Sequence, residues 1–137
     1  MLLAAQLAAA QKPVPWNQNQ LMPPATLAQE MTRLRQQLGE IVILSVGPDA
    51  MIQGSVDMGQ AHEKDNLEKL RSYLEGLDRS KEIVVYCGCC PFDKCPNIRP
   101  AFNLLTEMGF KNAKVLDLPT NIKTNWLDKG YPVTKLH

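Results

Sequence analysis

Apolar residues fall along this chain in two alternating rhythms. In ATLAQEMTRLRQQLG, Leu27, Met31, Leu34 and Leu38 recur on one face of a 3.6-residue period, which predicts a helix. Thr26 and Gln29 are spaced as its capping box, and Gly39 is placed to stop it. IVILSV, from Ile41, is instead a continuous apolar run of mostly β-branched residues, as expected of a strand covered on both faces. After a Gly-containing loop the helical rhythm returns in DNLEKLRSYLEGL, with Leu67, Leu70, Leu74 and Leu77 in line. EIVVY is the next buried strand and ends one residue before Cys87. IRPAFNLLTEMGF sets Ile98, Phe102, Leu105 and Met108 at helical spacing, with Gly109 as the stop. AKVLDL is a further strand, and NWLDKGYPV a short terminal turn and tail.

Strands that alternate with helices predict an α/β fold, a parallel sheet with helices on both faces joined by right-handed crossovers. In such sheets ligands bind outside the carboxyl ends of the strands. With 137 residues there is room for one domain and a tail. The organisation read from the sequence is a leader at 1–10, an extended lead-in at 11–25 and the domain at 26–137. The leader, MLLAAQLAAA, resembles the later half of a secretory signal peptide, without its basic start and too short to span a bilayer. Export to the periplasm or beyond would place the cysteines in an oxidising compartment. The lead-in is rich in Pro, Gln and Asn and suits a surface segment, with Trp16 available to pin it to the core. Fifteen Lys and Arg against fourteen Asp and Glu give a net charge of +1, with no basic block to follow a phosphate backbone, so nucleic acid is not an expected partner.

The chemistry is concentrated in YCGCCPFDKCPNIR, which holds all four cysteines of the chain. Cys87 lies between a strand end and a helix start, where backbone N–H groups and the positive end of the helix dipole favour a thiolate. It is the candidate nucleophile. Arg99, in the first turn of the following helix, is the candidate cation for an oxyanion such as thiosulfate or for a charged cysteine adduct. His62 and His137 read as solvated, as do Asp93 and Lys94 within the loop, and Trp126 and Tyr131 as packing that ties the tail to the core. There is no Gly-rich phosphate loop, serine elbow or carboxylate pair at useful spacing, and no cofactor is expected.

The order of these segments resembles a family. EIVVYCG, a helix ending in EMGF, the strand AKVLDL and NWLDKGYPV are similar to the carboxyl half of a rhodanese-like domain, and IVILSVG and MIQGS to its earlier strand and turn. The resemblance implies a parallel sheet flanked by helices. It also implies a catalytic cysteine, here Cys87, that takes sulfane sulfur from a donor and passes it to a thiophilic acceptor. The expected partners are therefore a small sulfur-containing anion and a thiol. Ser45 and Gly47 stand where that family usually has Asp and Arg. The loop is also longer than the family's. Pro91 and Pro96 lack N–H groups and only Gly88 tolerates positive φ without strain, so a cradle of backbone amides around the sulfur is not expected.

Cys89, Cys90 and Cys95 leave several readings open. A bridge between Cys87 and Cys89, or between Cys89 and Cys90, would close a very small strained ring, whereas Cys95 can meet Cys89 or Cys90 across a loop. A remaining thiol could then resolve a persulfide or sulfenate on Cys87. All four could also wrap Cu(I) or Zn²⁺, although the spacing lacks the paired Cys-x-x-Cys knuckles of a zinc site. The leading expectation is an extracytoplasmic sulfurtransferase or persulfide carrier using Cys87. Its alternatives are a non-catalytic binding module with a disulfide-stapled loop, or a thiol metal site with Cys87, Cys89, Cys90 and Cys95 as ligands.

Overall fold

Residues 15–33 and 41–134 are described by the computed structural model. The leader at 1–10, Leu34, Leu38, Gly39 and His137 lie outside them. Five strands form one sheet: β1 (Leu21–Met22), β2 (Ile41–Ser45), β3 (Val56–Asp57), β4 (Glu82–Tyr86) and β5 (Ala113–Leu116). Their order is β1-β5-β4-β2-β3, and every neighbouring pair is parallel. The helices are α1 (Pro24–Arg33), α2 (Lys64–Glu75), α3 (Ile98–Glu107) and the single turn α4 (Ile122–Asn125).

Side chains alternate along a strand, and here the alternation builds two cores. Leu44, Val46, Ile83, Val85, Ala113 and Val115 point to one face and pack with Leu70 and Leu74 of α2 and Ile98, Phe102 and Leu105 of α3. Ile43, Val84, Tyr86 and Leu116 point to the other, against Leu27 of α1, Ile52, Leu118 and Trp126. Each fully buried aliphatic side chain contributes roughly 1.5–3 kcal/mol, so the continuous apolar runs are what hold the sheet between its two helical layers. The register aligns Ser45 with Tyr86, and the Val46 N–H continues the ladder to the Tyr86 carbonyl at 2.9 Å. The ends of β2 and β4 therefore finish level, and the segment 46–47 runs beside Cys87.

Three features differ from the sequence reading. The first helix starts at Pro24, ahead of Thr26, whose N–H donates to the Pro23 carbonyl at 3.0 Å. Proline at a first helical position presets φ and needs no donor, which moves the start upstream of the expected capping box. A reciprocal box forms instead between Asn17 and Gln20, around the 3₁₀ turn Gln18–Gln20. The segment expected as a surface lead-in also supplies the edge strand β1, and β3 forms the opposite edge. Two-residue strands carry no readable periodicity, so pairing with β5 and β2 alone defines them. Gly109 ends α3 as expected, at φ +88.

The polypeptide after α4 returns across the second core. Trp126 is fully buried, meets Tyr131 edge-on at 5.1 Å and donates its indole N–H to the Pro132 carbonyl at 2.8 Å. Val133 then forms an antiparallel bridge with Ile52. No helix among the described residues is long and apolar enough to cross a membrane.

Candidate functional site: a four-thiol cluster at the end of β4

Cys87 follows β4 directly and belongs to the α2/α3 core, with Cys95 beside it; each is 1% exposed. Cys89 is exposed and Cys90 half-buried. The loop that carries them is drawn inward at three points. Phe92 donates its N–H to the Leu118 carbonyl at 3.1 Å, Lys94 closes a turn onto Pro91 at 3.0 Å, and the Gly88 carbonyl accepts the Ile122 N–H at 3.0 Å. The result brings all four sulfur atoms within 4.8 Å of one another. Cys87 and Cys89 are 3.4 Å apart, and Cys89 and Cys90 3.0 Å. All four are free thiols in this structure, and the immediate neighbours of Cys87 are Cys95 and Cys89.

The glycines of the site are fixed by space. A Cβ on Gly47 would sit 2.7 Å from the Cys87 Sγ, so the position that carries Arg in the resembling family is here occupied by the sulfur's own surroundings. Gly88 does not use the positive φ that it could tolerate. Its Cβ would lie 2.9 Å from Ile122 Cγ2, so close approach of α4 is the reason for glycine there. Ser45 is fully buried and donates to the Asp49 carbonyl at 2.8 Å, which shapes the turn after β2.

Asn97 is the residue that sequence reasoning missed. It occupies the position before α3, where an asparagine would ordinarily cap the helix, yet its side chain makes no capping bond. Its amide Nδ2 instead faces Cys87 Sγ at 3.6 Å, and its backbone N–H faces Cys95 Sγ at 3.4 Å. The Oδ1 atom accepts the His62 backbone N–H at 2.9 Å and lies 2.7 Å from His62 Nδ1. His62, read as merely solvated, thus holds the orientation of a buried amide. The only signal in the sequence was an Asn between the last cysteine and a helix start.

Arg99 is directed elsewhere than the sulfurs. Its guanidinium donates to the Asp93 carbonyl at 3.0 Å and lies 5.4 Å from the Trp16 ring centroid. The groups that hydrogen-bond Cys87 are the Cys95 thiol, the Cys89 backbone N–H, the Asn97 amide and the Cys89 thiol. The Cys95 thiol contributes most, and together they bring Cys87 down to about 5 against the opposing effect of burial. The same contact holds Cys95 protonated, its thiol pushed far up by donation to Cys87 and then by burial. Cys89 is pushed up to about 12, by burial first and then by its bonds to Cys90 and Cys87. The surroundings thus favour the charged form at Cys87 over Cys89 and Cys95, because hydrogen bonds to a sulfur stabilise its thiolate against the cost of burial.

No family model matches the chain, and no curated protein matches it significantly. Among solved structures, the Alr3790 protein from Anabaena sp. aligns at TM-score 0.58 and 23% identity, over 84% of this chain and 92% of that one. A substituted EanB, carrying a cysteine persulfide in a tetrahedral intermediate state with ergothioneine, aligns at TM-score 0.58 and 16% identity. That match covers 84% of this chain and 28% of that one. These likenesses, with the five-stranded parallel sheet and its flanking helices, fit a rhodanese-like α/β fold.

Proposed function

We propose that this protein handles sulfane sulfur through a persulfide on Cys87. The observation that carries the reading is a buried cysteine sulfur directly after β4, with the Asn97 amide Nδ2 at 3.6 Å and the Cys89 sulfur at 3.4 Å, surroundings that favour the Cys87 thiolate. A thiolate is the form that attacks divalent sulfur. The Cys87 sulfur attacks the sulfane sulfur of the donor, forming a new S–S bond while the donor's own S–S bond breaks. The electron pair leaves with the donor fragment, as sulfite from thiosulfate or as a thiolate from a small persulfide. An acceptor thiolate then attacks the outer sulfur, and Cys87 departs again as thiolate. A protein that shares this fold over part of its length, EanB, carries a cysteine persulfide in its solved structure.

Two features give the reaction its boundaries. Cys87 is covered and Cys89 exposed, so a donor reaches the nucleophile past the Cys89 side chain. Arg99 acts in this reading by fixing the Asp93 turn over Trp16, and the Asn97 amide supplies the polar contact at the sulfur.

The test loads the reduced chain with thiosulfate, polysulfide or a small-molecule persulfide, followed by peptide mass spectrometry and transfer to cyanide or a thiol. Wild type should gain the mass of one sulfur atom on the Cys87 peptide and lose it to the acceptor. Cys87→Ser should fall to background with every donor. Equal loading of Cys87→Ser, or sulfur found first on Cys89, would remove Cys87 from the proposal.

A further inference from the structure

We infer that Cys87, Cys89, Cys90 and Cys95 form a binding site for one soft d¹⁰ metal ion, of the kind represented by Zn²⁺ and Cu⁺. The inference goes beyond sulfur transfer and does not depend on it.

Geometry carries it. Metal–sulfur bonds of about 2.3 Å in a tetrahedron place the sulfurs about 3.8 Å from one another. Here Cys87 and Cys89 are 3.4 Å apart, Cys89 and Cys90 3.0 Å, and no pair of the four exceeds 4.8 Å. Four sulfurs from a nine-residue segment thus already occupy the volume of a tetrathiolate shell, and small side-chain rotations would complete it. The folding of the loop explains why this happens without paired Cys-x-x-Cys knuckles. The bonds from Phe92 to Leu118 and from Lys94 to Pro91 turn the chain back, and the Cys95 sulfur lies within 4.8 Å of that of Cys87. The convergence belongs to the tertiary structure and not to the spacing.

The chemistry of the surroundings selects the class of ion. The cluster contains cysteine sulfur alone, without a carboxylate or imidazole ligand, and pure thiolate sets favour soft ions over Mg²⁺ or Ca²⁺. The outer shell is present as well. Asn97 presents its side-chain amide to Cys87 and its backbone N–H to Cys95, and is itself oriented by His62 through its carbonyl oxygen. Hydrogen-bonded partners of this kind orient thiolate ligands and are part of the design of metal sites. Cys87 and Cys95 are buried while Cys89 is exposed, which gives an ion a dry floor and an open entry. Each thiol that ligates releases its proton to solvent, and the ion's charge offsets the thiolates that then face one another. An ion ligated by Cys87 withdraws charge from its sulfur and crowds the approach of a donor, so the loaded protein should transfer sulfur more slowly than the ion-free one.

The experiment uses the full reduced chain under anaerobic conditions, titrated separately with Zn²⁺ and with Cu⁺, then desalted and weighed by native mass spectrometry. Co²⁺ serves as an optical probe of thiolate coordination. The expected result is one ion retained per chain, with all four thiols protected from alkylation, and competition between the two ions identifies the one preferred. Cys89→Ser, Cys90→Ser and Cys95→Ser should each weaken retention against a chelator by about tenfold or more, since loss of even an outer-shell partner costs that much. If Cys95→Ser does not fold, the variants at the more exposed Cys89 and Cys90 carry the comparison. No retained ion, several loosely held ions, or equal retention by the serine variants overturns the inference. Sulfur transfer is measured on the same ion-free and loaded samples. An ion-free protein that transfers sulfur and takes up no ion leaves the sulfur reading standing alone, whereas stoichiometric binding with no transfer in either form does the reverse.

Discussion

Gly47 leaves room for the Cys87 sulfur that any side chain would fill. An added Cβ would approach Sγ to 2.7 Å, the Cys87 Cα to 3.2 Å and the Gly88 nitrogen to 3.3 Å, two of them backbone atoms that cannot swing aside. Gly47→Ala should therefore destabilise the fold by about 1–3 kcal/mol, the range for overpacking a filled interior. It should also change the alkylation rate of Cys87 while leaving that of exposed Cys89 unchanged. Urea unfolding and site-resolved labelling check both, and wild-type values in both would mean that the β2 turn relaxes away from the sulfur. Single residues also show what reading by type leaves open. Asn97 looks like a cap, but its side-chain amide faces the Cys87 sulfur, and Arg99, expected as a cation for an oxyanion, directs its guanidinium to the Asp93 carbonyl. In each case position along the chain was legible but the direction of the side chain was not.

At the scale of elements, the loop between β4 and α3 is held by a residue far from it in sequence. Trp16 is buried against Phe92 and Phe102, with ring centroids 6.0 Å away in both cases, and its face meets the Arg99 guanidinium. It thereby joins the lead-in, the cysteine loop and α3. Trp16→Ala should cost about 3–5 kcal/mol, as removal of a large buried aromatic does. The loss should appear locally before it appears globally: amide exchange at Phe92 and Lys94 should accelerate more than exchange in β4. Uniform acceleration across the sheet would instead make Trp16 an ordinary core residue. The major elements were readable because α2, β4 and α3 are long, strongly patterned segments. Their ends were less so, as Pro24 overrode the capping box at Thr26.

Over the whole molecule, the sheet separates two cores, and the thiol cluster sits at the strand end of one while the carboxyl-terminal strap closes the other. The strap is joined by backbone bonds from Gln53 to Pro132 at 3.3 Å and from Thr134 to Met51 at 2.9 Å, and by the Trp126 indole bond to Pro132. A chain ending at Tyr131 loses these three bonds and the Thr134 hydroxyl contacts with the Ala50 and Ile52 carbonyls, and at roughly 1 kcal/mol net per bond should be less stable by about 3–4 kcal/mol. Because Cys87 faces the opposite core, its alkylation should keep the wild-type rate in conditions where the shortened chain remains folded. A loss of Cys87 reactivity equal to the loss of stability would show that the two faces respond as one unit.

The sequence by itself determined the parallel α/β architecture, the strand that ends at Cys87 and the helix that follows, because continuous apolar runs and 3.6-residue periods are local properties that burial enforces directly. It also placed all four cysteines in one loop at a strand end. Only the tertiary structure decided what that loop became. The short edge strands exist through pairing alone, Gly47 and Gly88 are required by atoms from other segments, and the Asn97 amide is turned to the sulfur by His62, 35 positions away. The convergence of four thiols within 4.8 Å depends on contacts between the loop, β5 and the chain beyond it. Such contacts join residues distant in sequence, and no pattern along a single chain encodes the direction in which a side chain will meet them.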